Sequence, residues 1–328
     1  MWQIARLTQP FAKAFAVTVL VSAALPLNAC AHPDAIEPSA AQPVPPISDP
    51  TATPASNPPT DAAPIPSPVV IPPLPVVSDG EAREEAAALV LKMRQQIKRF
   101  TTYTPEHRAR FIALAQTEIQ AAGTVIDRPQ LIMIVDRNEN VQRMDYVLAL
   151  PDAPWVSLGG SPVSTGNTGR KYYYITPTGV FQNSADRLGY RAEGTKNKNG
   201  IMGIGAKGSR VWDLGWQTAT KGWLPKHETG QIRLEIHATD PHFLEWRLGH
   251  PASEGCIRIP ATMNHFMDHY GLIDVLYEQA ASYDTRFRAL LPKDREPVKI
   301  AGDLIVVVDS GPQTEPKIDP LADKRQIP

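Results

Sequence analysis

The chain has 328 residues, 33 prolines, two cysteines and a formal net charge of −1. This balance, with no long basic run, excludes a typical nucleic-acid partner, since phosphate binding needs clustered lysine and arginine. It also gives no sign of a strongly acidic or basic substrate. Fifteen prolines fall within residues 33–75, so about 250 residues from Ser78 onward are left to fold, enough for one well-cored domain with attachments.

Residues 1–30 have the three-part pattern of a secretory signal. Arg6 and Lys13 give a positive start, residues 14–27 form an apolar run, and small residues follow. The run is shorter than the roughly 20 apolar residues that span a bilayer, and a buried helix is its alternative interpretation. Leu27-Asn28-Ala29-Cys30 resembles a lipobox, which predicts a lipid on Cys30 and hence membrane contact. Ordinary cleavage after Ala31 is the alternative.

Residues 31–77 predict a disordered, proline-rich linker, because their composition offers too little apolar surface to pack. At roughly 3.1 Å per residue in a polyproline conformation, it would reach on the order of 100 Å. Residues 78–123 predict a helical segment of two helices. Thr104-Pro105 starts the second helix and Gly123 ends it. We expect these helices to pack on the main domain or to act as a spacer.

From Pro129 the pattern changes to β-strands. Short apolar runs predict strands at residues 131–135, 146–150, 233–237, 273–277 and 304–308. Irregular glycine-rich loops are expected from Gly159 to Gly230, and an amphipathic helix over Ala261–Tyr270. The pattern predicts a β-rich α+β protein with a catalytic domain over 129–280, a C-terminal extension over 281–311 and a disordered tail over 312–328.

Cys256 is the cysteine that calls for a chemical explanation. If Cys30 is lipidated or removed, Cys256 has no disulfide partner in an oxidising compartment. A buried, inert cysteine is the alternative. A nucleophilic thiol needs a neighbouring base, and His237 at the end of a predicted strand is suited to that role. Arg258, two residues after the cysteine, can bind a carboxylate with its planar fork.

Three motifs occur in a specific order. They are Val163-Ser164-Thr165-Gly166, then Thr176-Pro177-Thr178-Gly179-Val180-Phe181, then His237 with Ser253-Glu254-Gly255-Cys256-Ile257-Arg258 after fifteen intervening residues. In these motifs, over roughly residues 129–276, the chain resembles the catalytic domain of the L,D-transpeptidases of the YkuD type. The resemblance implies a YkuD-like mixed β-sheet or sandwich domain behind an N-terminal helical segment, with no cofactor and no metal.

The resemblance also implies roles for individual residues. Cys256 would be the nucleophile and His237 the base, oriented by the backbone carbonyl of Ala238. The amides of Gly255 and Cys256 would contribute to an oxyanion hole. Substrate would be positioned by Ser253, Glu254 and Arg258.

Glu254 departs from the family pattern, because the family usually has histidine at this position. A carboxylate beside a thiolate disfavours ionisation of the thiol. Arg258 would offset this effect, or Glu254 would point away from the thiol. The substitution bears on rate and acceptor choice more than on the nucleophile.

The implied reaction acts on peptidoglycan stem peptides in the periplasm or cell envelope. Cys256 would attack the third residue of a tetrapeptide stem, release the terminal D-Ala and hold the acyl group as a thioester. An amine of a second stem would then give a 3–3 crosslink. A free D-amino acid or a lysine of an acceptor protein could also accept the acyl group. Water as the acceptor would make the protein an L,D-carboxypeptidase. One site serves all of these acceptors, so the sequence does not choose among them.

Three other interpretations stay open. A zinc hydrolase would use His237, His242, His250 and Cys256, although no HExxH motif or tight ligand pair occurs. Another kind of cysteine peptidase would more often place the cysteine before the histidine. A catalytically weak wall-binding module is favoured by Glu254.

Two further features have more than one interpretation. The basic, glycine-rich loop Gly194–Gly208 lacks the Gly-Lys-Ser/Thr ending of a phosphate loop, so we expect it to flank substrate. Trp212, Trp216 and Trp223 either line a glycan or peptide groove or belong to the core.

Overall fold

The computed structural model describes residues 70–166 and 168–311. The predicted signal segment, Cys30, most of the predicted linker and the predicted tail lie outside the described residues. The described chain is a mixed protein of two β-sheets and several helices, an arrangement of the α+β class. Within the described ranges, no helix has the length and apolar character needed to cross a bilayer.

The elements have the following bounds. The helices are α1 (Asp79–Gln96), α2 (Pro105–Ala121), α3 (Ala261–Tyr270), α4 (Val275–Ala281) and α5 (Thr285–Leu290), with a 3-10 turn at Glu245–Arg247. The strands are β1 (Gln130–Asp136), β2 (Arg143–Ala149), β3 (Val156–Pro162), β4 (Tyr174–Ile175), β5 (Gly179–Gln182), β6 (Tyr190–Arg191), β7 (Arg210–Lys221), β8 (Thr229–Ala238), β9 (Ile257–Ile259) and β10 (Leu304–Val308).

Five strands form the first sheet, in the order β3-β2-β1-β10-β5. β1 runs antiparallel to β2 and parallel to β10, with Ile132 opposite Leu304. Every residue of β1 is buried, which explains why its sequence is apolar without alternation. The segment 281–311, predicted as a C-terminal extension, supplies β10 and therefore belongs to the middle of this sheet.

The two N-terminal helices cover opposite faces of the first sheet. Leu89 of α1 shares a core with the face that carries Met133, whereas Phe111 of α2 packs on the face that carries Ile132. Ser78 forms a capping box at the start of α1, and Thr104 caps α2. The two predicted helices are confirmed, and both pack on the domain instead of extending away from it.

Five strands form the second sheet: four follow the order β4-β7-β8-β9, and the fifth, β6, pairs with β7. β8 and β9 are parallel, with Ile236 opposite Ile257 and His237 opposite Arg258. Ile236 and Ile257 point into the core shared with the first sheet and α1. Because side chains alternate along a strand, His237 and Arg258 project from the opposite face.

Two secondary-structure predictions are wrong. Residues 273–277, predicted as a strand, lead into helix α4, because the good helix formers that follow extend to Ala281. The predicted irregular loop region contains the 12-residue strand β7. A bulge at Gly215, where φ is +80°, interrupts the alternation of β7 and hides the strand in the sequence.

The end of the predicted linker also packs on the domain. Leu74 and Val77 contact the main core. The Pro72 carbonyl oxygen accepts a hydrogen bond from Gln279 Nε2 at 2.6 Å. This end of the predicted linker is therefore held against the domain by two apolar side chains and one backbone carbonyl oxygen.

Candidate active site

Cys256 lies in a turn directly before β9, at the end of the long connection from β8, and its neighbours set the geometry of this turn. Gly255 has φ +134°, a conformation that glycine adopts without steric cost. The Ser253 hydroxyl accepts a hydrogen bond from the Gly255 amide at 3.1 Å and donates one to the Cys256 carbonyl oxygen at 2.6 Å. These bonds fix the backbone on both sides of the thiol.

The turn uses two groups that were predicted to face substrate. Ser253, predicted to position substrate, is 0% exposed, and its hydroxyl is committed to the turn. The Gly255 amide, predicted as an oxyanion donor, is directed at Ser253 Oγ. Both corrections have one cause, because buried polar groups in a turn must find partners and here they find each other.

His237 is buried near the C-terminal end of β8. Its Nδ1 lies 2.6 Å from the Ala238 carbonyl oxygen. A carbonyl only accepts, so Nδ1 carries the proton and Nε2 is the acceptor. Burial and, to a smaller extent, the positive charge of Arg258 lower the pKa of His237 to about 4, against the opposing hydrogen bond to Ala238. The imidazole is therefore neutral at neutral pH and able to take a proton.

The parallel pairing of β8 and β9 brings Cys256 next to the strand that carries His237. Arg258 lies opposite His237, and paired strands are about 4.8 Å apart. Cys256 precedes Arg258 by two residues, so alternation places both on the same face. The thiol lies 3.7 Å from the carbonyl oxygen of Arg233 on β8 and donates a hydrogen bond to it.

The two upstream motifs meet this turn. Ser164 and Arg258 exchange two backbone hydrogen bonds of 2.9 Å. The Thr176 hydroxyl accepts from the Gly166 amide at 2.9 Å and donates to the Gly255 carbonyl oxygen at 2.7 Å. A Cβ on Gly166 would lie 1.9 Å from a neighbouring carbonyl oxygen, so only glycine fits. The three sequence motifs therefore form one connected structure around Cys256.

Arg258 and Glu254 bring opposite charges to the site. Arg258 is 9% exposed, and its Nη1 donates to the Ala252 carbonyl oxygen at 3.1 Å. Its Nε is a buried donor with no partner within the described chain. Burial raises the pKa of the half-buried Glu254, while the charges of Arg258 and Arg170 oppose that shift.

A cleft of about 670 Å³ opens beside Cys256 and Glu254, a size typical of sites for small molecules and peptide fragments. Its lining combines aromatic rings with charged groups. The aromatic lining residues are Tyr172, Tyr174, Tyr190 and Trp216, and the charged ones besides Glu254 are Lys196, Arg233 and Glu235.

The basic loop Gly194–Gly208 forms one wall of this cleft through residues such as Asn197 and Ile204. Asp240 holds the loop against the end of β8, because its carboxylate accepts a hydrogen bond from the Met202 amide at 2.9 Å. The loop therefore lies where a bound molecule would contact it.

The three tryptophans have different environments. Trp212 is buried in the core, where its Nε1 donates to Asp274 at 3.0 Å. Trp216 is 60% exposed and lines the cleft. Trp223 packs edge-on against Tyr174, which also lines the cleft. The sequence left these roles open, and the structure assigns one ring to the core and two to the cleft or its border.

The alternative zinc site is not assembled. In the part of the chain that the structure describes, no three His, Cys, Asp or Glu side chains are grouped to hold a metal ion. His242 packs against Phe243, and the His250 carbonyl oxygen accepts a hydrogen bond from the Ser164 hydroxyl at 2.7 Å. These two histidines contribute to loop structure.

Sequence reasoning missed Glu235 and Tyr190. The Tyr190 hydroxyl donates to the two carboxylate oxygens of Glu235, at 3.1 and 3.3 Å, and both residues line the cleft. One signal was available, because Glu235 precedes His237 by two residues and so shares its face of β8. Tyr190 had no such signal, since only the fold brings it to β8.

The fold and these contacts define an α+β protein in which Cys256 lines a cleft and the buried His237 lies on the strand paired with β9, which follows the cysteine. No family model matches the chain, and no curated protein matches it.

Proposed function

We propose that the protein is a peptidoglycan L,D-transpeptidase built on a YkuD-type catalytic domain. The observation that carries the proposal is the convergence of the three motifs on the Cys256 turn, through Ser164, Thr176 and the pairing of His237 with Arg258. These motifs lie far apart in the sequence, yet hydrogen bonds join them around one thiol. This arrangement supports a shared role in catalysis. The chain acts in the periplasm or cell envelope, where peptidoglycan lies.

The first half-reaction begins with proton transfer from the Cys256 thiol to the neutral imidazole of His237. The thiolate attacks the carbonyl carbon of the third residue of a tetrapeptide stem. The C–N bond to the terminal D-Ala breaks, and the leaving amine takes the proton from the imidazolium. The acyl group remains on Cys256 as a thioester.

The second half-reaction transfers that acyl group to an amine of a second stem, a D-amino acid or a protein lysine. The positive charge of Arg258, which already acts on the cleft residue Glu254, would attract a stem carboxylate. The cleft supplies aromatic surface and charges of both signs, in keeping with a peptide that carries several ionised groups.

The proposal is tested by mass spectrometry. The purified protein is incubated with a carbapenem, and a single covalent adduct is expected on the wild type and none on Cys256→Ala. An adduct that persists in Cys256→Ala would remove the nucleophile assignment.

Incubation with a tetrapeptide-bearing wall fragment then identifies the activity. A crosslinked dimer indicates a transpeptidase, and a tripeptide product indicates an L,D-carboxypeptidase. Wall binding with neither product nor carbapenem adduct indicates a binding module and overturns the proposal.

A further inference from the structure

Glu235 is a buried carboxylate in the wall of the cleft that holds Cys256. It is 7% exposed and lines the cleft together with Tyr190, which donates a hydrogen bond to it. Ile236 lies opposite Ile257 in the β8–β9 pair. Continuing that register by one residue places Glu235 beside Cys256, and alternation places both side chains on the cleft side of the sheet.

No cation of the described chain neutralises Glu235 by direct pairing. Its strand neighbour Arg233 is committed to Asp213, with its Nε 3.0 Å from the carboxylate and a second, shorter hydrogen bond from Nη2. Burial raises the pKa of Glu235, the Tyr190 hydrogen bond and the Arg233 charge lower it, and the Asp213 charge raises it. Lys196 and Glu254 are the other charged groups that share the cleft.

A buried carboxylate without an ion pair is costly unless a ligand supplies the missing charge. The ligand that fits is a cation with hydrogen-bond donors, small enough to reach the floor of the cleft beside the thiol. A primary ammonium group meets these conditions. Water can give a proton to this carboxylate but carries no positive charge, so it lacks the ion-pair attraction that an ammonium group gains.

We infer that Glu235 is the acceptor subsite of the enzyme, which binds the ammonium group of the incoming amine and takes a proton from it. This inference rests on the proposed function, because it concerns the thioester that Cys256 would carry. It selects a cationic primary amine, and not water, as the preferred acyl acceptor.

An alkylammonium acceptor transfers one proton to the Glu235 carboxylate and becomes a neutral amine. Its nitrogen lone pair attacks the thioester carbonyl, a C–N bond forms, and the C–S bond breaks. The sulfur leaves with the electron pair and receives the second nitrogen proton by way of His237. Glu235 then releases its proton to solvent.

The test compares two nucleophiles on the same tetrapeptide donor. Nα-acetyl-lysine amide offers only a side-chain ammonium, whose ordinary pKa is about 10.4. Hydroxylamine is uncharged at neutral pH and needs no prior loss of a proton. Mass spectrometry measures the amide and the hydroxamate formed by each variant.

Glu235→Gln should lower transfer to the lysine derivative by about 10²-fold or more, the range for loss of a general base, while hydroxamate formation falls by less than roughly three-fold. The matched control is Glu228→Gln, because Glu228 pairs with Lys221 on the exposed surface and should affect neither product. Tyr190→Phe keeps the carboxylate but removes its hydrogen bond, and should lower lysine transfer selectively. This second variant tests the subsite even if Glu235→Gln does not fold.

An equal loss of both products in Glu235→Gln would indicate a structural role and overturn the inference. Wild-type protein that forms hydroxamate but never the lysine amide would overturn it as well, while leaving Cys256 as the nucleophile. Wild-type protein that forms no acyl-enzyme and no hydroxamate would instead overturn the proposed function itself.

Discussion

The hydroxyl of Thr176 donates a hydrogen bond of 2.7 Å to the carbonyl oxygen of Gly255, the residue before the proposed nucleophile. Thr176 lies between β4 of the second sheet and β5 of the first sheet. It is fully buried and also accepts from the Gly166 amide. One side chain therefore joins the connection between the two sheets to the turn that carries the thiol.

Thr176→Val should destabilise the protein and disturb the site together. The substitution keeps the shape but leaves the Gly166 amide and the Gly255 carbonyl oxygen buried without this partner, at a cost of about 1–3 kcal/mol each. We expect a lower free energy of unfolding in urea and slower carbapenem acylation of Cys256. Thr178→Val is the matched control, since Thr178 is exposed in the same motif. Equal stability of the two variants would contradict a role for Thr176 in holding the turn.

His237→Ala should slow carbapenem acylation by about 10²–10⁴-fold, the range expected when a general base is lost. The fold should be retained, which circular dichroism can check. The control is His265→Ala, because His265 is exposed on α3 and should not alter the rate. A His237→Ala protein that is acylated at the wild-type rate would show that another group takes the thiol proton.

His237 should also make stability depend on pH. Its pKa falls from 6.5 to about 4 through burial and the Arg258 charge, so the unfolded state binds more protons between these values. The free energy of unfolding should therefore decrease as pH falls from about 6.5 to 4, by on the order of 3 kcal/mol. Urea unfolding of wild type and His237→Gln across this window measures the effect as a difference in slope. Parallel pH curves for the two proteins would contradict it.

Several elements of the fold could be predicted because each has a local cause. β1 and β10 are continuous apolar runs buried on both faces, and α3 has an apolar face that follows Pro260. β7 could not be predicted, since the Gly215 bulge breaks its alternation. Whether residues 273–277 form a strand or a helix depends both on the helix formers that follow them and on tertiary partners, here the contacts of Asp274 with Trp212 and Asn183.

The candidate site also contains some residues that the sequence could identify and some roles that it could not. The spacing of His237 and Cys256 and their residue types are properties of the sequence, so both could be chosen before any fold was known. The roles of Ser253 and Gly255 depend on which polar groups the turn itself consumes. Only the three-dimensional backbone shows which of these polar groups bond to one another. Glu235 was missed for a similar reason, because its burial follows from the packing of β6 and β7 beside β8.

Asp145 should give stability a pH dependence of the opposite sign. Burial raises its pKa from 3.8 to about 7, against the Ser157 hydroxyl, the Gly159 amide and the Arg108 charge. The folded state then binds more protons between these values, so the free energy of unfolding should decrease as pH rises from about 4 to 7, by on the order of 4 kcal/mol. The protonated carboxyl is the form that the folded state favours, and its contribution to stability is fully present below about pH 4.

Asp145→Asn should remove most of this dependence, because the amide stays neutral throughout. The measurement is urea unfolding between about pH 4 and 7, compared with Asp152→Asn, whose side chain is exposed in the turn after β2. A variant that keeps the wild-type slope would show that the Asp145 carboxyl does not titrate in this range in the folded protein.

Glu254→Gln should make Cys256 more reactive towards iodoacetamide at neutral pH. The substitution removes a negative charge from the residue next to the thiol, where a like charge disfavours the thiolate. It also leaves the charges of Arg258 and Arg170, which now act on Glu254, without this opposing negative charge. We expect a rise of roughly three- to ten-fold, since a unit charge about 4 Å away contributes on the order of 1 kcal/mol when water screens it as in bulk solvent.

Arg258→Ala should have the opposite effect on alkylation, because it removes the positive charge that faces Glu254. Glu228→Gln is again the control for loss of a carboxylate at the surface. The measurement is a pH series of alkylation rates for the wild type and these three variants. The pH dependence distinguishes a change in ionisation of the thiol from a change in access to it. Slower alkylation in Glu254→Gln would reverse the argument and make the Glu254 carboxylate a group that supports the thiolate, for example by holding Arg258 beside it.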